Sequence, residues 1–250
     1  MRIYLSEDYK AMSRRAANII SAQVITKPDS VLGLATGGTP VGAYQQLVEW
    51  YKKGDLSFAE IKTVNLDEYL GLSPHHEQSY RYFMQVNLFD HIDIKPENTH
   101  VLNGLAKDPQ AECAAYNQLI RDLGGIDLQL LGMGHNGHIA FNEPGDDFGL
   151  ETHVVTLTDR TIDANTRFFE SRDEVPRHAL SMGIKNIMQA RRIPIVVSGE
   201  EKAETVCKAF AGPVTKDVPA SVLQLHPDVT LVGDRAALRK LVEAGVPVCG

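Results

Sequence analysis

The chain has 250 residues, of which 43% are hydrophobic and 23% charged, the make-up of a water-soluble protein long enough for one large α/β domain. Its formal charge of −7 argues against nucleic acid, which selects a basic face, but leaves room for an anionic small substrate in a locally positive pocket. Cys113, Cys207 and Cys249 are odd in number and widely spaced, as reduced thiols would be, and no apolar run approaches the ~18 residues of a membrane span. Residues 1–8 lack a signal-peptide core. The expected location is the cytoplasm, with no membrane partner.

In chain order, short apolar runs alternate with amphipathic ones. Strands are expected at residues 31–35, 61–66, 128–131, 153–157, 193–198 and 230–232, with a thinner pattern at 179–182. Helices are expected at 8–24, 40–53, 79–91, 109–123, 184–190, 200–211 and 235–244. Pro40 suits a first helical turn, and Gly54, Gly124, Gly212 and Gly245 sit where helices should stop. Strands apolar on both faces and separated by helices imply a doubly wound, mostly parallel sheet with helices on both faces, one domain over residues 1–250. In such sheets ligands bind beyond the carboxyl ends of the strands, so the loops there are the place to look for chemistry.

The first such loop is Thr36-Gly37-Gly38-Thr39-Pro40, which ends a strand and opens a helix. Its amides and the helix N-terminus could cradle an anion; an ordinary glycine turn is the plainer reading, and no Walker lysine is present. The second carries Asp67 and Glu68, one of which could move a proton between adjacent carbons; an N-cap or a solvated acidic pair would look the same. Arg167, beside two aromatics, reads as a phosphate fork or as a structural ion-pair partner. Lys202 stands at the start of a helix, against the preference of the macrodipole, and a bound phosphate would give it a reason.

The richest stretch runs from Gly132 to Pro144, where three glycines are followed by His138 and Glu143. The Gly132, Gly134 and Gly137 spacing matches a dinucleotide fingerprint, but Phe141-Asn142-Glu143-Pro144-Gly145 would break the helix that fingerprint requires. His135, His138 and Glu143 fit no standard zinc spacing, and no cysteine stands near. Acid–base chemistry is the leading reading, a histidine to move protons and a carboxylate to orient it.

Taken together, Leu34 to Pro40, Asn65 to Tyr69, Ser79-Tyr80, Gly137 to Pro144, Arg167-Phe168-Phe169, Val175-Pro176 and Leu223 to Pro227 resemble the glucosamine-6-phosphate deaminase family, in order along nearly the whole chain. The resemblance implies a Rossmann-like, sugar-isomerase-type fold. It also implies conversion of glucosamine 6-phosphate and water to fructose 6-phosphate and ammonia, without cofactor or metal. It gives His138 as the ring-opening base with Glu143 as charge partner, and Asp67 as carrier of the C2 proton to C1. Gly37, Gly38, Thr39, Arg167 and Lys202 become phosphate and substrate anchors. Many relatives have aspartate where this chain has Asn136, which can still accept from an imidazole N–H but brings no charge. Regulated relatives place basic residues after the glutamate; residues 146–155 here are acidic, so the expectation is a non-allosteric enzyme and a monomer rather than a hexamer. The rivals are a 6-phosphogluconolactonase-like hydrolase and a catalytically silent sugar-phosphate sensor.

Overall fold

The computed structural model describes every residue except 146, 147, 149, 167 and 168, and the side chains of 160, 164 and 165. Its strands are β1 (Arg2–Ser6), β2 (Val31–Leu34), β3 (Lys62–Asn65), β4 (Asp67–Tyr69), β5 (Thr99–His100), β6 (Leu128–Gln129), β7 (His153–Thr156), β8 (His178–Ser181), β9 (Ile193–Val197) and β10 (Val229–Asp234). Between them lie α1 (Tyr9–Thr26), α2 (Gly38–Lys52), α3 (Tyr80–Asn87), α4 (Pro109–Asp122), α5 (Asp159–Asn165), α6 (Ile184–Met188), α7 (Ala203–Ala211) and α8 (Arg235–Glu243).

Parallel ladders run in the order β5-β3-β2-β6 and β1-β10-β9. A parallel bridge from Leu131 to Ile195, with Leu131 N–H donating to the Pro194 carbonyl at 2.9 Å, joins the two into one surface. Every residue of β2, β9 and β10 is buried, which requires cover on both faces; α1 pairs with α2, and α7 with α8. At the outer edge, Cys249 bridges Tyr4 in parallel, donating to the Ile3 carbonyl at 2.7 Å and accepting from Leu5 N–H at 2.9 Å. The tail thereby covers the free side of β1.

Two expected strands lie elsewhere. The pattern of residues 153–157 and 179–182 predicts strands of the main sheet; β7 and β8 instead form a small antiparallel sheet with β4. The physical reason is exposure: β7 is only half-buried, as suits a sheet with one face to solvent. A satellite cluster that includes Tyr69, Phe141, Leu157 and Ile162 packs beside it. Helix punctuation follows the sequence closely. Asp8, Ser79, Asp108 and Asp234 cap α1, α3, α4 and α8, each accepting from a first-turn amide. Gly54, Gly124 and Gly245 stop helices in the left-handed region, whereas Gly212 does so with an ordinary φ of −87°.

The chain moves outward from β2 through β3 to β5, then returns to place β6 on the other side of β2. The loops after β2 and β6 therefore open at a topological switch point, where a crevice forms. Two buried tyrosines pin the strand ends that feed it. Tyr44 donates to the Ala35 carbonyl at 2.6 Å. The Tyr116 hydroxyl donates to the Asn65 carbonyl and accepts from the Asn65 N–H, both at 2.8 Å, just ahead of Asp67. Tyr116→Phe leaves both Asn65 groups without their buried partner and is expected to lower stability by about 1–3 kcal/mol. An unchanged denaturation midpoint would refute this clamp.

Candidate active site

A cavity of about 270 Å³ lies in that crevice. One wall is the Thr36–Thr39 loop, with Gly37 at φ +91° so that α2 can begin at the next residue, and Pro40 in its first turn. The amides of the α2 N-terminus face an opening where negative charge is favoured. Lys202 stands on the same cavity, capping α7 after a 3₁₀ turn, and its ammonium donates to the Met133 carbonyl at 2.9 Å. Arg167, the other expected anchor, lies outside the described residues.

Asp67 forms another wall. The sequence places it in a loop; the structure makes it the first residue of β4, opposite Ser181. Only 7% exposed, its carboxyl is pushed up to about 8, chiefly by burial and further by the adjacent Glu68. Glu68 points away and accepts the backbone N–H groups of Tyr69, Tyr80 and Arg81 at 2.8, 2.9 and 2.9 Å. Alternation along a strand thus gives one acid to the cavity and turns the other to the α3 N-terminus.

The glycine loop after β6 presents His138. Gly134 N–H donates to the His138 carbonyl at 2.9 Å, and a Cβ at Gly134 would lie 2.2 Å from the imidazole Cε1, so the ring packs where only glycine leaves room. This, rather than a dinucleotide turn, accounts for that glycine. Ala140, also on the cavity, has φ +50°, the one non-glycine left-handed residue among those described. It turns the chain between Ile139 and Asn142, bringing Glu143 back beneath His138.

Behind the imidazole, Nδ1 of His138 lies 3.1 Å from Oε1 of Glu143, within reach of a hydrogen bond although off its ideal line. Burial alone would raise the Glu143 carboxyl; His138, the Thr161 hydroxyl at 2.7 Å and the Asn136 amide together bring it to about 2. It is a fixed anion at any working pH. Asn136 does not accept from the imidazole as expected. Its amide donates to Glu143 Oε2 and its oxygen accepts the His138 backbone N–H at 3.2 Å, so it orients the carboxylate instead. Thr161 and Tyr80 also line the cavity. Tyr80 stood in a family-like motif without a role; nothing in sequence marked Thr161, whose importance comes from where α5 packs. Among the described residues no three His, Cys, Asp or Glu side chains converge as metal ligands would.

Residues 6–232 match the family model for glucosamine-6-phosphate isomerases and 6-phosphogluconolactonases. The chain belongs to this family. It is 60% identical to the glucosamine-6-phosphate deaminase of Lachnoclostridium phytofermentans, over 93% of this chain and 98% of that one. It is 52% identical to that of Thermoanaerobacter pseudethanolicus, over 95% and 94%. A solved structure described as a monomeric glucosamine-6-phosphate deaminase superposes with a TM-score of 0.94 at 49% identity, covering 96% of this chain and all of that one. The 6-phosphogluconolactonase of Trypanosoma brucei, at 17% identity and a TM-score of 0.76, shares the fold.

The Asp67 carboxyl yields a signed expectation. A proton affinity raised on folding stabilises the native state below the unfolded value of 3.8, and that stability is lost as pH rises through about 8. Asp67→Asn, which cannot charge, should therefore melt higher than the unsubstituted protein above pH 8, with the gap closing toward pH 4. A melting difference that does not vary with pH would show that the carboxylate is not penalised by burial.

Proposed function

We infer that the protein is a glucosamine-6-phosphate deaminase, converting glucosamine 6-phosphate and water to fructose 6-phosphate and ammonia. The observation that carries the reading is a buried carboxylate with a raised proton affinity, Asp67, sharing a cavity with a histidine backed by a fixed anion. Aldose–ketose isomerisation needs those two separate proton carriers; hydrolysis of a lactone has no use for the first. The 60% identical relative, matched over 98% of its length, supports the same reaction.

In this proposal His138 moves the proton that opens the pyranose ring, and Glu143 stabilises the imidazolium that results. Asp67, as carboxylate, takes the proton from C2 of the open chain and returns it at C1, while one amine proton passes to O1, leaving an alcohol at C1 and an imine at C2. Water adds there and ammonia leaves. Gly37, Gly38, Thr39 and Lys202 hold the phosphate, with Arg167 as a further anchor. Asn136 keeps Glu143 aligned. No cofactor or metal takes part, residues 1–250 act as one unit, and the enzyme serves N-acetylglucosamine breakdown in the cytoplasm as a hydrolase. Among the described residues no helix is long and apolar enough to cross a membrane.

The test is ammonia release from glucosamine 6-phosphate measured beside hydrolysis of 6-phosphogluconolactone. Only the first should be rapid; the reverse preference would make the protein a lactonase. Asp67→Asn should lower kcat by about 10²–10⁴ with KM changed only a few-fold. Because Asp67 is a base only when ionised, kcat/KM should rise with pH toward about 8 and then level.

We also propose that the protein is an unregulated monomer, as the structural relative of TM-score 0.94 is described as monomeric. Of the acidic stretch expected to repel an effector, Asp146 and Asp147 lie outside the described residues. Glu151 is paired with Lys185 at 2.8 Å and lies 3.9 Å from Arg121, so its charge is balanced rather than repellent. The reading then rests on those two cations being engaged. Saturation curves with and without N-acetylglucosamine 6-phosphate should both be hyperbolic; a sigmoidal curve straightened by that sugar would overturn it.

A further inference from the structure

On the far side of β4 lies a second cavity, of about 470 Å³. Glu68 faces it, while the preceding residue, Asp67, faces the first, so a single strand separates the two. Its floor is apolar, built from Leu72, Leu102, Tyr116 and Leu119. Gly104 closes the base, where a Cβ would come within 2.4 Å of the Tyr69 carbonyl oxygen.

The polar edge of this cavity is Arg81, on the first turn of α3. The guanidinium is half-buried and lies 5.8 Å over the Phe89 ring. One of its nitrogens donates to the Thr99 carbonyl at 3.0 Å and to the Thr99 hydroxyl at 2.9 Å. No carboxylate pairs with it among the described residues. Glu68 is taken up by three backbone amides, and Glu112, on the opposite rim, accepts the Asn103 N–H at 2.9 Å. Burial draws the Arg81 proton affinity down with no anion to offset it. His100, beside it, is held below the usual histidine range by burial and by Arg81, so at neutral pH it is an uncharged hydrogen-bonding group rather than a second cation.

A partly desolvated cation keeps an unmet demand for an anion, and the planar guanidinium fork fits a carboxylate with its remaining N–H groups. The adjoining floor would take an apolar body, as small-molecule pockets usually do. We propose that this cavity is a binding site for a small organic carboxylate with an apolar body, held by Arg81 and separate from the sugar-phosphate site.

The probe is benzoate, titrated into the full-length protein by calorimetry at pH 7, with neutral benzamide as its uncharged counterpart. Saturable benzoate binding is expected, with benzamide about tenfold weaker or more. Arg81→Gln, which keeps a donor for Thr99, should weaken benzoate by a similar factor. Ala115→Trp, which fills the cavity from α4 without altering charge, should abolish binding, and a thermal melt reports whether each variant is folded. Saturating fructose 6-phosphate should not displace the probe. Absence of saturable binding, equal affinity in a folded Arg81→Gln or Ala115→Trp, equal binding of benzamide, or displacement by fructose 6-phosphate would each overturn the proposal.

Discussion

A carboxylic acid almost wholly buried at the wall of the cavity is the constraint around which the crevice is organised. Burial makes ionisation of Asp67 costly, and among the described residues no adjacent cation meets that cost; instead, Glu68 adds to it. Such a group must be held by something else, and the holding is done by the backbone. β4 pairs with β8, Tyr116 locks the residue two before it, and α3 accepts the neighbouring acid at its N-terminus. Each of these contacts would be ordinary alone. Together they keep a group in a place from which its own solvation would drive it.

Opposite it, the same interior does the reverse to Glu143. That carboxylate gathers a hydroxyl, an amide and an imidazole and is driven down to about 2, while Asp67 is driven up to about 8. Two acids of nearly equal intrinsic strength thus end far apart, which is the usual mark of groups with divided acid–base roles. The difference arises from the surroundings: the His138 imidazole, the Thr161 hydroxyl and the Asn136 amide lower Glu143, whereas among the described residues nothing offsets the burial of Asp67.

Much of this was legible in the residues and some was not. Apolar runs located β2, β3, β9 and β10 to within a residue or two, because strands buried on both faces leave a pattern that needs no context. β4 left none: its two acids disfavour a strand, and only pairing with β8 makes it one. β1 was missed because Arg2 and Tyr4 interrupt its apolar character at a chain end. In the site, His138 and Glu143 announced themselves by chemistry and Gly37 and Gly38 by their turn. The position of Asn136 was readable, but its partner was not, since an amide can present either face and only the fold chooses. Thr161 arrives from eighteen residues beyond Glu143, and its bond exists only once α5 has packed.

The pairing of the first strand has a kinetic side. Arg2 lies opposite Thr230, and among the described residues β1 pairs with β10 and with the tail around Cys249. Until β10 has been made the ladder of β1 stays open, while β2–β3 and β3–β5, whose registers pair residues 31 and 36 apart, assemble first. Contacts of such long range are closed late and at a high loop-entropy cost. Lys202, which follows β9, reaches the crevice from the half that closes late, so the site is complete only once the two halves have met across Leu131 and Ile195.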